Sequence, residues 1–471
     1  MSSVEIPHAP GMSRRDLIKG GVALGATLTI AGIADQSRRA QATPGQRIGV
    51  IGGGMAGLET AWLLDGTHTV TVLEKDAIIG GHAQTVTVTV GGAPRKVDVG
   101  AQYFAQQNYP NFWKLVNTTL GVPVVTANMS IAVWQYGSSS LEFYSPDPFS
   151  NFVNAMSMLA FTTAAQNDWA GSDRRGTGSW NTTLQTYVNS LWIAQSSKDN
   201  FIYPFLAALN GTSTSQNKTV AARGGVAFLA RPTTVINYQP YPYQNARDGL
   251  KAVADAMLAQ MTTTNVHTST EVVGLAKVGA EYIVTDANSN QYTFDQIVLA
   301  LPPYPAKALV NQLGSGGAAI KAIYDNQEYF HATTAIHTGP TYMHPNTSKW
   351  ASYNARNDGD YCEACMWYGA IQDQVAGLPI FKSWTTHRRE APTGVLATAD
   401  YWHPNITPAF INAQISLNAI QGQNGIWFAG THTYDVDSQE SALVSACKVA
   451  QGLAPGSARL TALNPDIKVI W

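Results

Sequence analysis

The sequence predicts an α/β fold: a Rossmann-type parallel sheet assembled from three separate segments, with an α+β domain inserted between them. Three observations predict it. Between residues 47 and 74 a strand, a glycine-rich turn, a helix, a second strand and an acid follow in order. Between 248 and 303 a helix, a hairpin and an apolar strand stopped by Pro302-Pro303 continue the alternation. At 425–430 the run Gly425-Ile426-Trp427-Phe428-Ala429-Gly430 opens one more strand–loop–helix unit. The expected boundaries are 43–104, 241–303 and 422–471 for the nucleotide-binding segments, and 105–240 and 304–421 for the inserted substrate domain.

Each element has its own reason. Arg47-Ile48-Gly49-Val50-Ile51 is a short apolar strand, and Gly52-Gly53-Gly54-Met55-Ala56-Gly57 is a G-x-G-x-x-G. Leu58 to Leu64 continues with good helix formers, and Thr69-Val70-Thr71-Val72-Leu73 is the second strand. Gly52 permits the tight turn, Gly54 lets the backbone approach a pyrophosphate, and Gly57 lets helix and strand pack closely. Met55 and Ala56 stand at the helix N-terminus, where free N–H groups and the dipole attract phosphate. Glu74, 22 residues after Gly52, is placed to accept from ribose hydroxyls, with Lys75 beside it. An acid there favours a ribose without a 2′-phosphate.

Further along, Val86 to Val90 and Lys96 to Gly100 alternate as strands. Asp248-Gly249-Leu250 opens a helix running to about Gln260. Val266 to Leu275 reads as one strand, with Tyr282 to Thr285 as its hairpin partner, and Gln296 to Leu301 follows. Gly314-Ser315-Gly316-Gly317 lacks a preceding strand and reads as a loop, so no second dinucleotide fingerprint is expected. Asp437-Ser438-Gln439-Glu440 looks like a capping box with Asp437 as the cap, ahead of a helix through Leu453.

Composition bounds the function. The 471 residues carry a net charge of −2, with 13% charged and 10% aromatic residues. There is no basic excess to neutralise phosphates, which disfavours nucleic acid, and the aromatic content disfavours disorder. Ser13-Arg14-Arg15-Asp16-Leu17-Ile18-Lys19, the apolar run Gly20 to Ile33 and Ala40-Gln41-Ala42 read as a twin-arginine signal peptide over 1–42. The run is too short for a stable membrane span. A periplasmic or secreted protein is expected, handed folded to the twin-arginine translocase. Such export suits a chain that takes up its cofactor before crossing.

The motifs carry a resemblance. Gly80-Gly81-His82 just after the acid resembles FAD enzymes related to amine oxidases and carotenoid desaturases. Strand–Phe428-Ala429-Gly430–loop–helix resembles the last FAD-binding motif of the amine oxidase superfamily. Val97-Asp98-Val99-Gly100, Tyr109-Pro110-Asn111, Leu120-Gly121-Val122-Pro123, His337-Thr338 and Trp350-Ala351-Ser352-Tyr353-Asn354 extend the match. From about residue 46 to 455 the chain resembles bacterial NAD/FAD-binding oxidoreductases of that superfamily. It departs at Tyr434 to Glu440, where an aromatic-rich segment is expected. The resemblance implies FAD, with Gly81, His82, Gly100, Ala101, Val272 on the adenine side, Gly430, Ser441 and Ala442 among its contacts.

The resemblance also implies that the flavin takes a hydride at N5, while the protein orients the substrate and excludes water. Lys382, in an apolar setting, is a candidate for the lysine that holds a water at N5. His432 is a candidate base or stacking group; Tyr353, Trp367 and Tyr368 are candidate aromatic walls. Cys362-Glu363-Ala364-Cys365 fits a local disulfide or a redox relay better than zinc, and no metal is expected. The reading is an exported FAD oxidase or dehydrogenase acting on an amine or another activated C–H donor, passing electrons to oxygen or a diffusible acceptor. The alternatives are an isomerase or desaturase of an unsaturated lipid or polyene, and a noncatalytic flavin carrier.

Overall fold

A computed structural model describes residues 45–127, 129–171, 182–230 and 242–467. The expected signal peptide lies outside the described residues. The nucleotide-binding unit is a five-stranded sheet of β1 (Arg47–Ile51), β2 (Thr69–Leu73), β3 (Asn265–His267), β4 (Gln296–Leu299) and β5 (Ile426–Phe428). Its order is β3-β2-β1-β4-β5, and every pair is parallel. Its central strands are buried, so they read as continuous apolar runs instead of alternating. Helices α1 (Met55–Leu64) and α2 (Gln439–Leu453) cover one face; all ten residues of α1 are buried. Leu58, Leu63, Val72, Leu443, Ala446 and Val449 share that core. On the other face Ile51, Leu299 and Phe428 pack with Leu309, Ile320 and Tyr324. The 304–324 stretch, expected in the substrate domain, therefore lies under the nucleotide-binding sheet.

The second sheet has seven strands. In spatial order they are Val395–Pro404, Tyr329–His337, Phe381–Trp384, Ala364–Trp367, Tyr353–Asn357, Ile131–Gln135 and Leu141–Tyr144. All pairs are antiparallel except Tyr353–Asn357 with Ile131–Gln135. Helices Phe152–Gly171, Leu184–Ser190, Tyr203–Asn210 and Ala222–Ala230 contribute Phe161, Leu184, Leu206 and Val226 to a core with Val133, Phe143 and Tyr353. Burying each such side chain contributes about 1.5–3 kcal/mol. Among the described residues no helix is long and apolar enough to cross a membrane.

Three expectations need correction. Val266 to Leu275 is two strands: Asn265–His267 joins the parallel sheet, and Val272–Val278 starts a three-stranded antiparallel sheet. Ser269, at φ 52°, breaks the run. Gly314 to Gly317 is no loop. Gly314, at φ 59°, caps a helix over Ser315–Tyr324, and Gly317 leaves room for Val310 O, which a Cβ would approach to 1.7 Å. Finally, Ser438 is the cap of α2; its hydroxyl accepts from Ser441 N. Glu440 does not reach back to close a box. It accepts instead from Asn111 N at 3.1 Å, Phe112 N at 2.9 Å and Asn111 Nδ2 at 2.7 Å.

Candidate functional site: a nucleotide cradle and the cavity beside it

The cradle is built from glycines with different duties. Gly52, at φ 104°, turns the chain out of β1, and its N–H donates to Leu73 O at 2.9 Å. A Cβ on Gly57 would stand 2.0 Å from Gly52 O, so helix and turn touch backbone to backbone. Gly54 is different. A Cβ there would meet nothing nearer than Gly81 Cα at 4.0 Å. Packing does not demand glycine at 54; the space above it is open to a ligand. Gly80 N donates to Gly53 O at 2.8 Å, so the second glycine pair is folded over the first. No side chain caps α1 and its first turn holds no acid, which leaves its N–H groups free for an anion.

Glu74 closes one end. Its carboxylate accepts from Gly53 N at 2.6 Å and Asp76 N at 2.8 Å, and it is buried. The acid therefore also braces the glycine turn, a second duty that spacing alone does not reveal. Glu74 O accepts from Thr270 N at 2.7 Å, which brings the stretch leading into Val272 to the same end. Lys75 points outward, its side chain two-thirds exposed beside Asp76. At the other end Gly430, at φ 132°, donates its N–H to Ser445 Oγ at 2.8 Å. Ser441 and Ala442 lie buried in the first turn of α2. Gly100 and Ala101 pass beneath His82, whose carbonyl accepts from Ala101 N at 2.8 Å and would stand 2.0 Å from a Cβ on Gly100.

The family described as flavin containing amine oxidoreductase matches residues 55–340, more than half of the chain. The chain belongs to this amine oxidoreductase family. It is an FAD-dependent oxidoreductase, and the residues present fit the cofactor. The open space over Gly54, the uncapped N-terminus of α1 and the buried acid at the end of β2 match pyrophosphate and ribose. No curated protein matches the sequence. Among solved structures, the amine oxidoreductase is similar to a conjugated-linoleic-acid-producing fatty acid isomerase from P. acnes, at 13% identity and a TM-score of 0.62. That match covers 86% of this chain and 98% of the other. A putrescine oxidase variant matches at 12% identity and a TM-score of 0.62, over 88% of this chain and all of the other. At such identities the likeness shows the fold.

Lys382 lies where the seven-stranded sheet meets the cradle. Its Nζ donates to Gly100 O at 2.6 Å, so the seven-stranded sheet grips the cradle there. Burial pulls this amine down to about 8, against the pull of nearby Asp98. Asp98 is itself pushed up by burial, although Thr85 Oγ1 and Leu250 N donate to it. The Tyr368 hydroxyl donates to Asp98 O, and its oxygen lies 3.0 Å from the Gln102 side-chain amide.

A cavity of about 130 Å³ opens on the same strand. Trp384 is on its wall, two residues from Lys382 and thus on the same face of the strand; Phe330, Ile406, Leu209, His403 and Asp437 also line it. His403 Nδ1 and Asp437 Oδ2 are 2.7 Å apart. Two metal ligands at about 2.1 Å in tetrahedral geometry would stand roughly 3.4 Å apart. The contact is a hydrogen bond, with the His82 ring tilted alongside at 5.1 Å between ring centroids.

The four predicted catalytic candidates do not meet at this cavity. His432 is buried against Tyr324, 5.9 Å between centroids, and burial lowers it to about 3. Trp367 donates to Leu378 O and packs on Trp350. Tyr353 is buried edge-on to Phe205. Of the four, Lys382 bridges the cradle and the seven-stranded sheet. Cys362 and Cys365 are both buried free thiols, not the expected local disulfide, and burial pushes them up to about 12 and about 11. Trp384, His403 and Asp437 were missed. Only Asp437 had a signal: it falls in the stretch that departs from the family pattern.

Proposed function

We propose that this chain is an exported FAD-dependent oxidase or dehydrogenase that oxidises a small amine or similarly activated C–H donor. The observation that carries the reading is the single strand Phe381–Trp384, which ties Lys382 to the cradle at Gly100 O and presents Trp384 to the cavity. Bound FAD supplies a hydride acceptor at N5. The chain's residues do the rest. Trp384, Phe330 and Ile406 exclude water, and buried Lys382 holds the turn at Gly100 in place.

Electrons enter from the organic substrate and leave to oxygen or a diffusible acceptor, because the sequence offers one dinucleotide fingerprint. The cavity is well below the several hundred Å³ of a drug-sized site, which disfavours a long acyl chain. Anaerobic mixing tests this. A primary amine should bleach the flavin stoichiometrically, and NADPH should not. Rapid bleaching by NADPH would sink the reading, and turnover of an unsaturated fatty acid with the flavin still oxidised would favour an isomerase. For export, replacing Arg14 and Arg15 together by Lys should strand a folded, yellow precursor in the cytoplasm; normal export of that variant overturns the twin-arginine assignment.

A further inference from the structure

Among the described lining residues Asp437 is the one carboxylate; the others are apolar, aromatic or neutral polar apart from His403. Burial works against its charge, but hydrogen bonds from His403 and Thr431 hold it below the usual carboxylate range. An ionised carboxylate only accepts, so His403 Nδ1 carries the proton of their bond. That bond commits Nδ1, which leaves Nε2 as the ring nitrogen available to a ligand. The other titratable groups facing the pair are His82, Tyr401 and Tyr329. Burial lowers His82 to about 4 and pushes both tyrosines up, so all three are neutral near pH 7. Among the described lining residues Asp437 is thus the one anion.

We propose that His403 and Asp437 form a deprotonation site for a primary monoamine with an apolar tail. The inference rests on the amine-oxidising reading above and names its substrate. The ammonium donates to His403 Nε2, drawn by the Asp437 charge behind the ring. One N–H bond breaks, the proton stays on Nε2, and the neutral amine keeps the nitrogen electron pair. Hydrogen then leaves the α-carbon with its electron pair for the flavin, and a C=N bond forms. Water converts the resulting iminium to aldehyde and ammonium, and molecular oxygen is reduced to hydrogen peroxide by the two electrons. The proton on Nε2 returns to solvent. A diamine would set its second cation against a lining that holds no second carboxylate among the described residues, which disfavours it.

The test uses the FAD-loaded protein and two probes that lack an α-hydrogen. Calorimetry should find cumylamine bound about tenfold or more tighter than neutral cumyl alcohol, one decade in Kd. Asp437→Asn should erase that preference and leave alcohol binding unchanged. Benzylamine should bleach the flavin anaerobically, and putrescine should not. In His403→Gln the bleaching should slow by about two decades at neutral pH, within the usual range for losing a general base. It should recover above the amine's own pKa, where the free base arrives already deprotonated. Equal binding of the two probes overturns the proposal, as does a rate loss identical at both pH values. The wild-type probe pair decides should a variant fail to fold. If cumylamine keeps its preference while no amine bleaches the flavin, the ammonium site stands and the oxidase reading falls. If benzylamine bleaches while the probes bind equally, the reverse holds.

Discussion

Glycine 54 and glutamate 74 show how one residue can be explained by what is absent and another by what it holds. A Cβ at Gly54 meets no protein atom closer than 4.0 Å, so Gly54→Val should fold and lose FAD. Absorbance of the purified variant checks this; a full flavin complement would refute the pyrophosphate assignment. Glu74 holds Gly53 N and Asp76 N as well as standing where ribose is expected. Glu74→Ala should therefore weaken FAD by about 1–3 kcal/mol and also lower the melting temperature of the FAD-free protein. A purely ribose-binding acid would spare the latter. The fingerprint made these residues legible because its spacing is dictated by the shape of a pyrophosphate. His403 and Asp437 were not legible in the same way. They come from a strand end and a loop 34 residues apart, and nothing local signals that they meet.

At the scale of elements, the loop from Gly430 to Ser438 explains why a motif can be right in place and wrong in detail. Strand β5 and helix α2 were legible from apolar run and helical spacing. The cap was not, because Asp437, Ser438 and Glu440 are all good N-terminal residues. Tertiary contacts chose among them: Asp437 pairs with His403, and Glu440 caps the helix over Pro110–Lys114. Glu440→Gln keeps the size but loses the charge that three donors share. It should destabilise the protein by about 1.5–3 kcal/mol, the range for a charge-assisted buried contact. Chemical denaturation measures this directly, and a loss near zero would show that the Asn111 turn finds other acceptors.

For the whole molecule, two sets of buried groups set opposite limbs of a stability profile. His337 and His432 are held down by burial, to about 4 and about 3. The unfolded chain protonates them near pH 6.5, so stability is lost as pH falls from there toward the folded values. The slope approaches about 1.4 kcal/mol per pH unit for each histidine. Glu59 is the converse. It is fully buried in α1, near Glu440, and burial holds its pKa well above the usual range. The folded state keeps its proton where the unfolded chain releases it, so stability falls as pH rises past about 4.5. Glu59→Gln should flatten the alkaline limb and raise the melting temperature at pH 8, while His432→Gln should flatten the acid one. Thermal melts across pH 4 to 9 check both, and parallel curves for wild type and either variant would reject its assignment.

The separation of the three segments has a kinetic meaning. Strands β1 and β4 pair across about 250 residues, and β4 accepts β5 only from residue 426 onward. Contacts this distant along the chain are slow to form, because the closure entropy is paid before any pairing rewards it. During synthesis the N-terminal glycine turn thus waits for most of the chain before its sheet is complete. The nascent chain exposes the apolar edge of β1 throughout that wait, which makes chaperone occupancy at residues 47–51 the step to watch. Folding should therefore be limited by closure of this sheet, and added FAD should speed recovery of the native state only after β5 has docked.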